Sequence, residues 1–375
     1  MVKITKPIVG IVYANTTSVT QRGPDVYAHE IIRRLTQMNG ATYVVWSQSD
    51  QPGTIRPHIS LTWKKIRSHT LWSQARLPFE LIFGTHTNVI FIPNHVIPLF
   101  GSGTFVVTIH DCAYEFFPDS YSKKEIVYQR FALKSALKKS RSIIVPSLTT
   151  KNDIISLYKG NPDKIHVIPH GIDPVFFDVK KNFGHALLGY GISEPYILYT
   201  GRLESRKNIL ILIEAYILLR QEEKIHHKLV LAGSPGNKYT LIEKALTRVP
   251  ANFRRDIIET GHVTGDTLKV LLAHADIFVM PSLYEGFGIS VLEAMAVGIP
   301  TIVNDTPSLK EVVGNGALVV PMKKAFPLAA KMSYLIHHPL EMTSLRVKAK
   351  RRARMFTWEK SASQTFDVLM KAIDR

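Results

Sequence analysis

Apolar residues in this chain come in short unbroken runs, each separated from the next by a stretch in which apolar positions recur every three or four residues. The runs 7–14, 41–47, 88–94, 104–111, 142–147 and 164–173 form one series, with helical spacing over 24–38, 125–140 and 149–158. A polar, glycine-containing stretch over 176–195 interrupts the pattern. A second series follows at 196–202, 228–234, 257–263, 275–282, 300–305 and 317–321. Strands apolar on every position are covered on both faces, and the helices between them do the covering. Each series therefore predicts a parallel, doubly wound α/β sheet. Open sheets of this kind bind ligands outside the carboxyl ends of their strands, so two of them predict a site in the cleft between two domains.

Length supports that division, since 375 residues exceed the roughly 150 of an average domain. Hydrophobic residues make up 45% and charged residues 21%, which is ordinary for a water-exposed globular chain. One cysteine, Cys112, excludes an internal disulfide framework and fits a reducing, cytoplasmic setting. The opening "MVKITKPIVGIVYANTT" has the lysines and apolar run of a leader, but the run is short and opened by Pro7, so it reads as the first buried strand. No stretch reaches the roughly 18 uninterrupted apolar residues of a membrane span. The net charge is +17, with 20 Lys and Arg against 10 Asp and Glu in residues 1–170 and 27 against 20 in the rest. An excess of this size suits either solubility or attraction to a polyanion or anionic bilayer.

Two motifs carry candidate chemistry. In "PSLYEGFGISVLEAMAVGIP" (281–300) a strand ends near Ser282, a helix starts near Ile289 or Ser290, and Gly298 with Pro300 stops it. Gly286-Phe287-Gly288 is then a strand-to-helix loop at a carboxyl edge, where a helix N-terminus favours phosphate. Glu285 and Glu293 flank it, and carboxylates suit sugar or ribose hydroxyls. In "YTGRLESRKNI" (199–209), Arg202 and Lys207 follow the first strand of the second series and expect the same edge, with Lys207 opening a helix. An arginine fork and a lysine point charge make a diphosphate site. The plainer alternatives are a surface glutamate on a helix and a solvated Arg206-Lys207-Asn208 turn.

"GRLESRKN", the 281–302 block and "VIPHGID" (167–173) together resemble the retaining glycosyltransferases of GT-B architecture, family GT4, over nearly the whole chain. The resemblance implies two Rossmann-like domains facing across a cleft, at 1–175 and 176–355, with a terminal helix over 356–375 crossing back to the first. It implies that Arg202 and Lys207 bind the donor diphosphate, that Glu285 and the backbone of Gly286, Phe287 and Gly288 contact the transferred sugar, and that Glu293 holds the ribose hydroxyls. "TGHVTGD" (260–266) matches loosely the strand edge near the nucleobase, at Val263. "TIHDCAYEFFPDSY" (108–121) matches the strand end whose histidine, His110, faces the donor sugar; capping a strand end is its alternative. "TQRGPDVYAHEIIRRL" (20–35) resembles the glycine loop before the first helix, at Gly23, but Pro24 stands where a second glycine is commoner and removes an amide donor. His170-Gly171 and Trp358 read as structural, Trp358 as a packing anchor.

The implied activity is transfer of a hexose from a nucleotide-sugar donor to a glycan or lipid-linked acceptor in polysaccharide or lipopolysaccharide biosynthesis. "LWSQARLPFEL" (71–81) and "HDCAYEFFPDSY" (110–121) look like mannosyl- and rhamnosyltransferase relatives and favour mannose from GDP-mannose. No cofactor is implied, and with no Asp-x-Asp motif no metal is expected. The alternatives are a nucleotide-sugar epimerase of the same architecture and a non-catalytic subunit binding a membrane or partner. The stretch 121–142, with seven basic residues and an apolar stripe, suits either an anionic membrane surface or a core helix with a solvated side, which extends the expected location to the inner face of the membrane. The run 346–354 is a second basic candidate. Nucleic acid is not expected, because no basic-aromatic signature accompanies the charge.

Overall fold

The structure is a computed structural model that describes all residues except 1–5, 14–22, 68–71, 73, 75, 180–184, 193–194, 223–224, 264 and 375. Parts of the stretches singled out above, namely 1–5, 14–17, 20–22, 71, 73, 75, 180–184, 193–194 and 264, thus lie outside the described residues. The chain divides into two compact units. The first comprises residues 1–112, 123–171 and 357–375, the second 113–122 and 172–356. The helix Trp358–Ile373 therefore belongs with the first unit, while Ala113–Ser122, early in the chain, belongs with the second.

Seven parallel strands build the first sheet: β1 (Ile8–Tyr13), β2 (Thr42–Ser47), β3 (Leu61–Lys65), β4 (Val89–Ile92), β5 (Phe105–Thr108), β6 (Ser140–Val145) and β7 (Ile165–Val167). Their spatial order is β3-β2-β1-β4-β5-β6-β7. β1, β4 and β5 are almost wholly buried, as unbroken apolar runs require. β3 is the strand that the pattern did not announce. It lies at the sheet's edge, where no residue of "LTWKK" is fully buried and no apolar run is needed. The 164–173 run shrinks to three residues because Pro169, with no amide hydrogen, cannot continue the ladder.

Six parallel strands build the second sheet: β8 (Tyr196–Thr200), β9 (Lys228–Ala232), β10 (Ile257–Gly261), β11 (Ile277–Met280), β12 (Thr301–Asn304) and β13 (Leu318–Val320), in the order β10-β9-β8-β11-β12-β13. Every run of the second series is a strand. The order reverses between β8 and β11, the switch point outside whose carboxyl ends open sheets of this kind bind ligands. Both candidate motifs lie on the loops that follow these two strands. No helix among the described residues is long and apolar enough to cross a membrane.

Candidate active site

The loop after β8 is fixed by the loop after β9. Leu203 N–H donates to Ser234 O at 2.9 Å, Gly236 N–H to Leu203 O at 2.9 Å and Ser205 N–H to Asn237 O at 3.2 Å. Gly233 permits this approach, since a Cβ there would lie 1.8 Å from Gly201 O. Ser205–Lys207 form one 3-10 turn, and the α-helix begins only at Ile209. Lys207 thus sits in the turn before the helix rather than at its start. Asn208 closes the turn in the left-handed region (φ 57°), its side-chain amide donating to Met322 O at 3.1 Å.

The loop after β11 meets this turn. Lys207 Nζ lies 2.5 Å from Glu285 Oε1, and the Arg206 guanidinium approaches Glu285 Oε2 at 3.7 Å. Arg206 also donates to Glu204 Oε1 at 2.8 Å and to Tyr284 O at 2.7 Å. These four side chains are nearly buried, so the solvated-turn alternative fails for Arg206 and Lys207. Burial alone would raise the Glu285 pKa. Lys207 and Arg206, with hydrogen bonds from Lys207 and Ser282, outweigh it and hold the carboxyl below its ordinary range. Arg202 differs from its neighbours: its side chain is 44% exposed and comes no nearer than 3.9 Å to Glu204. One exposed cation therefore stands beside a buried network already balanced within itself.

The helix Ile289–Val297 begins where the sequence expects it, with Gly288 as N-cap at φ 103° and no side chain capping its amides. A left-handed residue at that position favours glycine. Gly298 ends the helix at φ 87°, its N–H returning to Ala294 O and Met295 O. Phe287 is turned into the core, edge-on to Phe356 at 5.8 Å, so the loop offers a ligand backbone rather than a ring. Glu293 is the fifth residue of the helix, and its side chain makes no hydrogen bond or ion pair among the described residues. Burial raises its pKa to about 8. Some of its surface still reaches solvent, so a ligand can reach it too. Val263 follows β10, two strands from β8 on the same edge, and packs half-buried on the core of its unit.

His110 and Gly23 lie in the first unit. Gly23 is the exposed first residue of the helix Gly23–Leu35, with Pro24 one position later than the sequence suggests. His110 follows β5, and its Nε2 is 3.0 Å from Pro93 O at the end of β4. A carbonyl only accepts, so Nε2 carries the hydrogen and Nδ1 is left as an acceptor. Burial lowers the ring's pKa to about 4, which keeps the imidazole neutral. His110 packs edge-on against Tyr27 at 5.1 Å, while His170 lies between Tyr27 (4.7 Å) and Trp358 (5.9 Å). Gly171 is required beside them, because a Cβ would lie 2.1 Å from Trp358 N.

Sequence reasoning missed Arg206 and Glu204 as members of the charged network. Their signal was an acid followed two and three residues on by two bases in "ESRK". It also missed Gly233, whose only mark was a glycine just past a strand. The stretch 108–121 was read for His110 and for its likeness to relatives, yet residues 113–122 pack on the loops of the second unit. Phe116 stacks on Tyr284 at 5.1 Å, Ser120 Oγ lies 3.0 Å from Ser205 Oγ, and the Asn237 amide donates to Ser120 O.

Two parallel-sheet units, the second carrying a buried charged network at its switch point, make the fold of a GT-B glycosyltransferase. The family model for "Glycosyltransferase Family 4" matches residues 22–176, and that for "Glycosyl transferases group 1" matches residues 190–355. The chain belongs to this glycosyltransferase family. It is 29% identical over 265 residues to O-antigen chain mannosyltransferase B of Escherichia coli, covering 70% of this chain and 69% of that protein. It is also 29% identical over 274 residues to O-antigen chain mannosyltransferase RfbU of Salmonella typhimurium, covering 73% and 69%. The fold matches that of Anabaena HepE, solved in complex with UDP-glucose, with a TM-score of 0.76 at 16% identity over 97% of this chain and 100% of that one.

Proposed function

We propose that this hexosyltransferase takes a nucleotide-sugar donor, with GDP-mannose the best candidate, and passes the sugar with retention to a glycan or lipid-linked acceptor without a metal. The observation that carries this reading is the exposed Arg202 beside the Lys207–Glu285 pair at the β8/β11 switch. Two O-antigen mannosyltransferases among the relatives support mannose and surface-polysaccharide assembly.

Bond cleavage leaves negative charge on the departing diphosphate, and fixed cations stabilise that charge most where it is largest, in the transition state. Arg202 supplies an uncommitted fork. Lys207 spends one of its three N–H donors on Glu285 and keeps two for phosphate. The uncapped N-terminus of Ile289–Val297 adds its dipole. Glu285, held ionised, accepts hydrogen bonds from sugar hydroxyls, while Glu293 is placed for the ribose. Together these cations supply the charge that a divalent metal provides in other sugar-transfer enzymes.

Calorimetry without metal against GDP, UDP, ADP and dTDP, alone and with their common sugars, tests the reading. GDP and GDP-mannose are expected to bind best. Arg202→Ala is expected to cost about 10²–10³ in turnover, about 3 kcal/mol of transition-state stabilisation, with little change in stability because the side chain is half exposed. Binding of none of the four nucleotides, or normal turnover by Arg202→Ala, defeats it.

A further inference from the structure

The first unit carries a cavity of about 410 Å³ that three separate segments build. Arg33 and Arg34 reach it from the last turn of the helix Gly23–Leu35. Glu359 reaches it from the first turn of Trp358–Ile373, and Thr54 and Arg56 from the loop between β2 and β3. Polar contacts hold these segments together. Arg34 Nε donates to Glu359 Oε1 at 2.8 Å, and the Gln37 side-chain amide donates to Arg56 O at 2.9 Å.

The cations are unequally committed. Arg34 is taken up by Glu359 on one side and by Glu30 on the other. Arg33 gives one terminal nitrogen to Glu30 Oε2 at 3.0 Å, but its Nε is buried and has no hydrogen-bond partner among the described residues. Arg56 is exposed, and its side chain makes no hydrogen bond or ion pair among the described residues. Three guanidinium groups therefore stand against two carboxylates, both of which Arg34 already holds. Thr54 Oγ1 lies 3.1 Å from His29 Nε2, and His29 Nδ1 lies 3.2 Å from the Tyr13 hydroxyl. With Tyr13 donating to Nδ1, Nε2 donates to Thr54, whose own hydroxyl hydrogen is free for an acceptor in the cavity.

Arginines in a last helical turn have a simpler use, which is to complement the helix dipole. That accounts for Arg33 and Arg34. It does not account for a buried N–H with no acceptor, which is costly to leave unmet, or for a separate loop that brings Arg56 to the same cavity. Donors arriving from Arg33, Arg56 and Thr54 suit the divergent oxygens of a tetrahedral anion, whereas a planar carboxylate is met by a single fork. The volume lies within the range of small-molecule sites, about 300–1,000 Å³, so there is room for an organic group beside the anion. Gln37 and Met38 complete the lining for it. Arg33 is also ten residues along the helix from Gly23, about 15 Å at 1.5 Å per residue, so a ligand here is distinct from one at the Gly23 end.

We infer that this cavity is a second anion site, binding the phosphate group of a small phosphate monoester through Arg33, Arg56 and Thr54. It lies wholly in the first unit and does not depend on the donor assignment.

Calorimetry on the full chain with inorganic phosphate, glycerol 3-phosphate and mannose 6-phosphate tests it, with sodium acetate at the same ionic strength as the control. Both esters are expected to bind more tightly than inorganic phosphate, and acetate not at all. Arg33→Gln and Arg56→Gln should each weaken ester binding on the order of tenfold. Neither should shift the melting temperature of the unliganded protein much, because glutamine can still donate to Glu30 and Arg56 makes no side-chain bond. Arg202→Ala, in the second unit, should leave ester binding unchanged, which separates this site from the one proposed for the donor. Ester binding no stronger than that of acetate overturns the inference. So does binding that survives in the Arg33→Gln/Arg56→Gln double variant or disappears in Arg202→Ala. Inorganic phosphate binding as tightly as both esters would overturn the assignment to a monoester.

Discussion

Around the ends of β4 and β5 in the first unit, the rings that meet are neutral, with Asp111 and Asp25 near enough to act on His110. His110 and His170 are both pushed by burial toward the uncharged imidazole, packed with Tyr27 and Trp358. At the β8/β11 switch in the second unit, the side chains that meet are ionised. Glu204, Arg206, Lys207 and Glu285 lie within 2.5–3.7 Å of one another's charges, with Arg202 exposed beside them. The two sheets share a strand logic, so the difference lies in the loops. Cations held rigid in a buried setting need counter-charges of their own, and under the proposed function those cations and the exposed Arg202 would meet the donor diphosphate. A neutral imidazole edge can offer or accept a single hydrogen bond without drawing in counterions. Topology thus provides the place, and loop charge decides the chemistry.

The sharpest way to break this contrast is at the Lys207–Glu285 pair. Lys207→Ala leaves a nearly buried carboxylate with only the more distant Arg206, and removing one partner of a buried pair costs about 3–5 kcal/mol. The single variant should therefore unfold at much lower urea concentration as well as lose turnover. Lys207→Met/Glu285→Gln replaces both charges by groups of similar shape and should recover most of the stability without recovering turnover. Equal stability of the single and double variants would show that the pair is not the coupled unit its 2.5 Å separation indicates.

Much of this was legible before any coordinates. Buried strands are unbroken apolar runs, so twelve of the thirteen strands could be read, together with the helix start at Ile289 and its stop at Gly298. β3 escaped because an edge strand buries little. Glu285, Arg202 and Lys207 stood out because charged residues at the end of a buried strand have few structural uses. Which cation meets which acid was not legible. Arg206 and Lys207 are adjacent in sequence, both turn inward, and Arg202 stays outside, because the loops after β8 and β9 are locked together by backbone bonds that begin at Gly233. Nor could sequence show that residues 113–122 pack with the second unit, since that depends on ring and hydroxyl contacts to residues 85 or more positions away.

A smaller effect sharpens the comparison from within the second unit. Glu293 has a folded pKa near 8 and no cation to offset its burial, unlike Glu285 eight positions earlier. Below pH 4.5 both folded and unfolded chains hold its proton; above that the unfolded chain releases it and the folded chain does not, so stability falls as pH rises through this window. Between pH 6 and 8 the loss should be about 2 kcal/mol. Glu293→Gln should flatten that slope in urea melts followed by circular dichroism. If ribose hydroxyls donate to the carboxylate, nucleotide should also bind more tightly as pH rises toward 8, and the glutamine variant should lose that dependence. A slope shared by both proteins would assign the pH effect elsewhere.

The smallest effect runs the other way and belongs to the first unit. His110 has its folded pKa depressed to about 4 by burial, so above pH 6.5 neither state carries the proton. As pH falls below 6.5 the unfolded chain takes a proton that the folded ring refuses. Stability is therefore full at neutral pH and declines toward pH 4 by about 1 kcal/mol per pH unit, with His170 adding in the same direction. All four tryptophans, Trp46, Trp63, Trp72 and Trp358, lie in the first unit, so their fluorescence follows that unit's unfolding alone. His110→Gln gives up packing against Tyr27 at every pH, so the informative quantity is the slope of the urea midpoint between pH 6.5 and 5, not its absolute value. That slope should become shallower in the variant. An unchanged slope would mean that the His110 ring takes up its proton in the folded protein as readily as in water, and the neutral edge contrasted here with the charged switch would not be neutral after all.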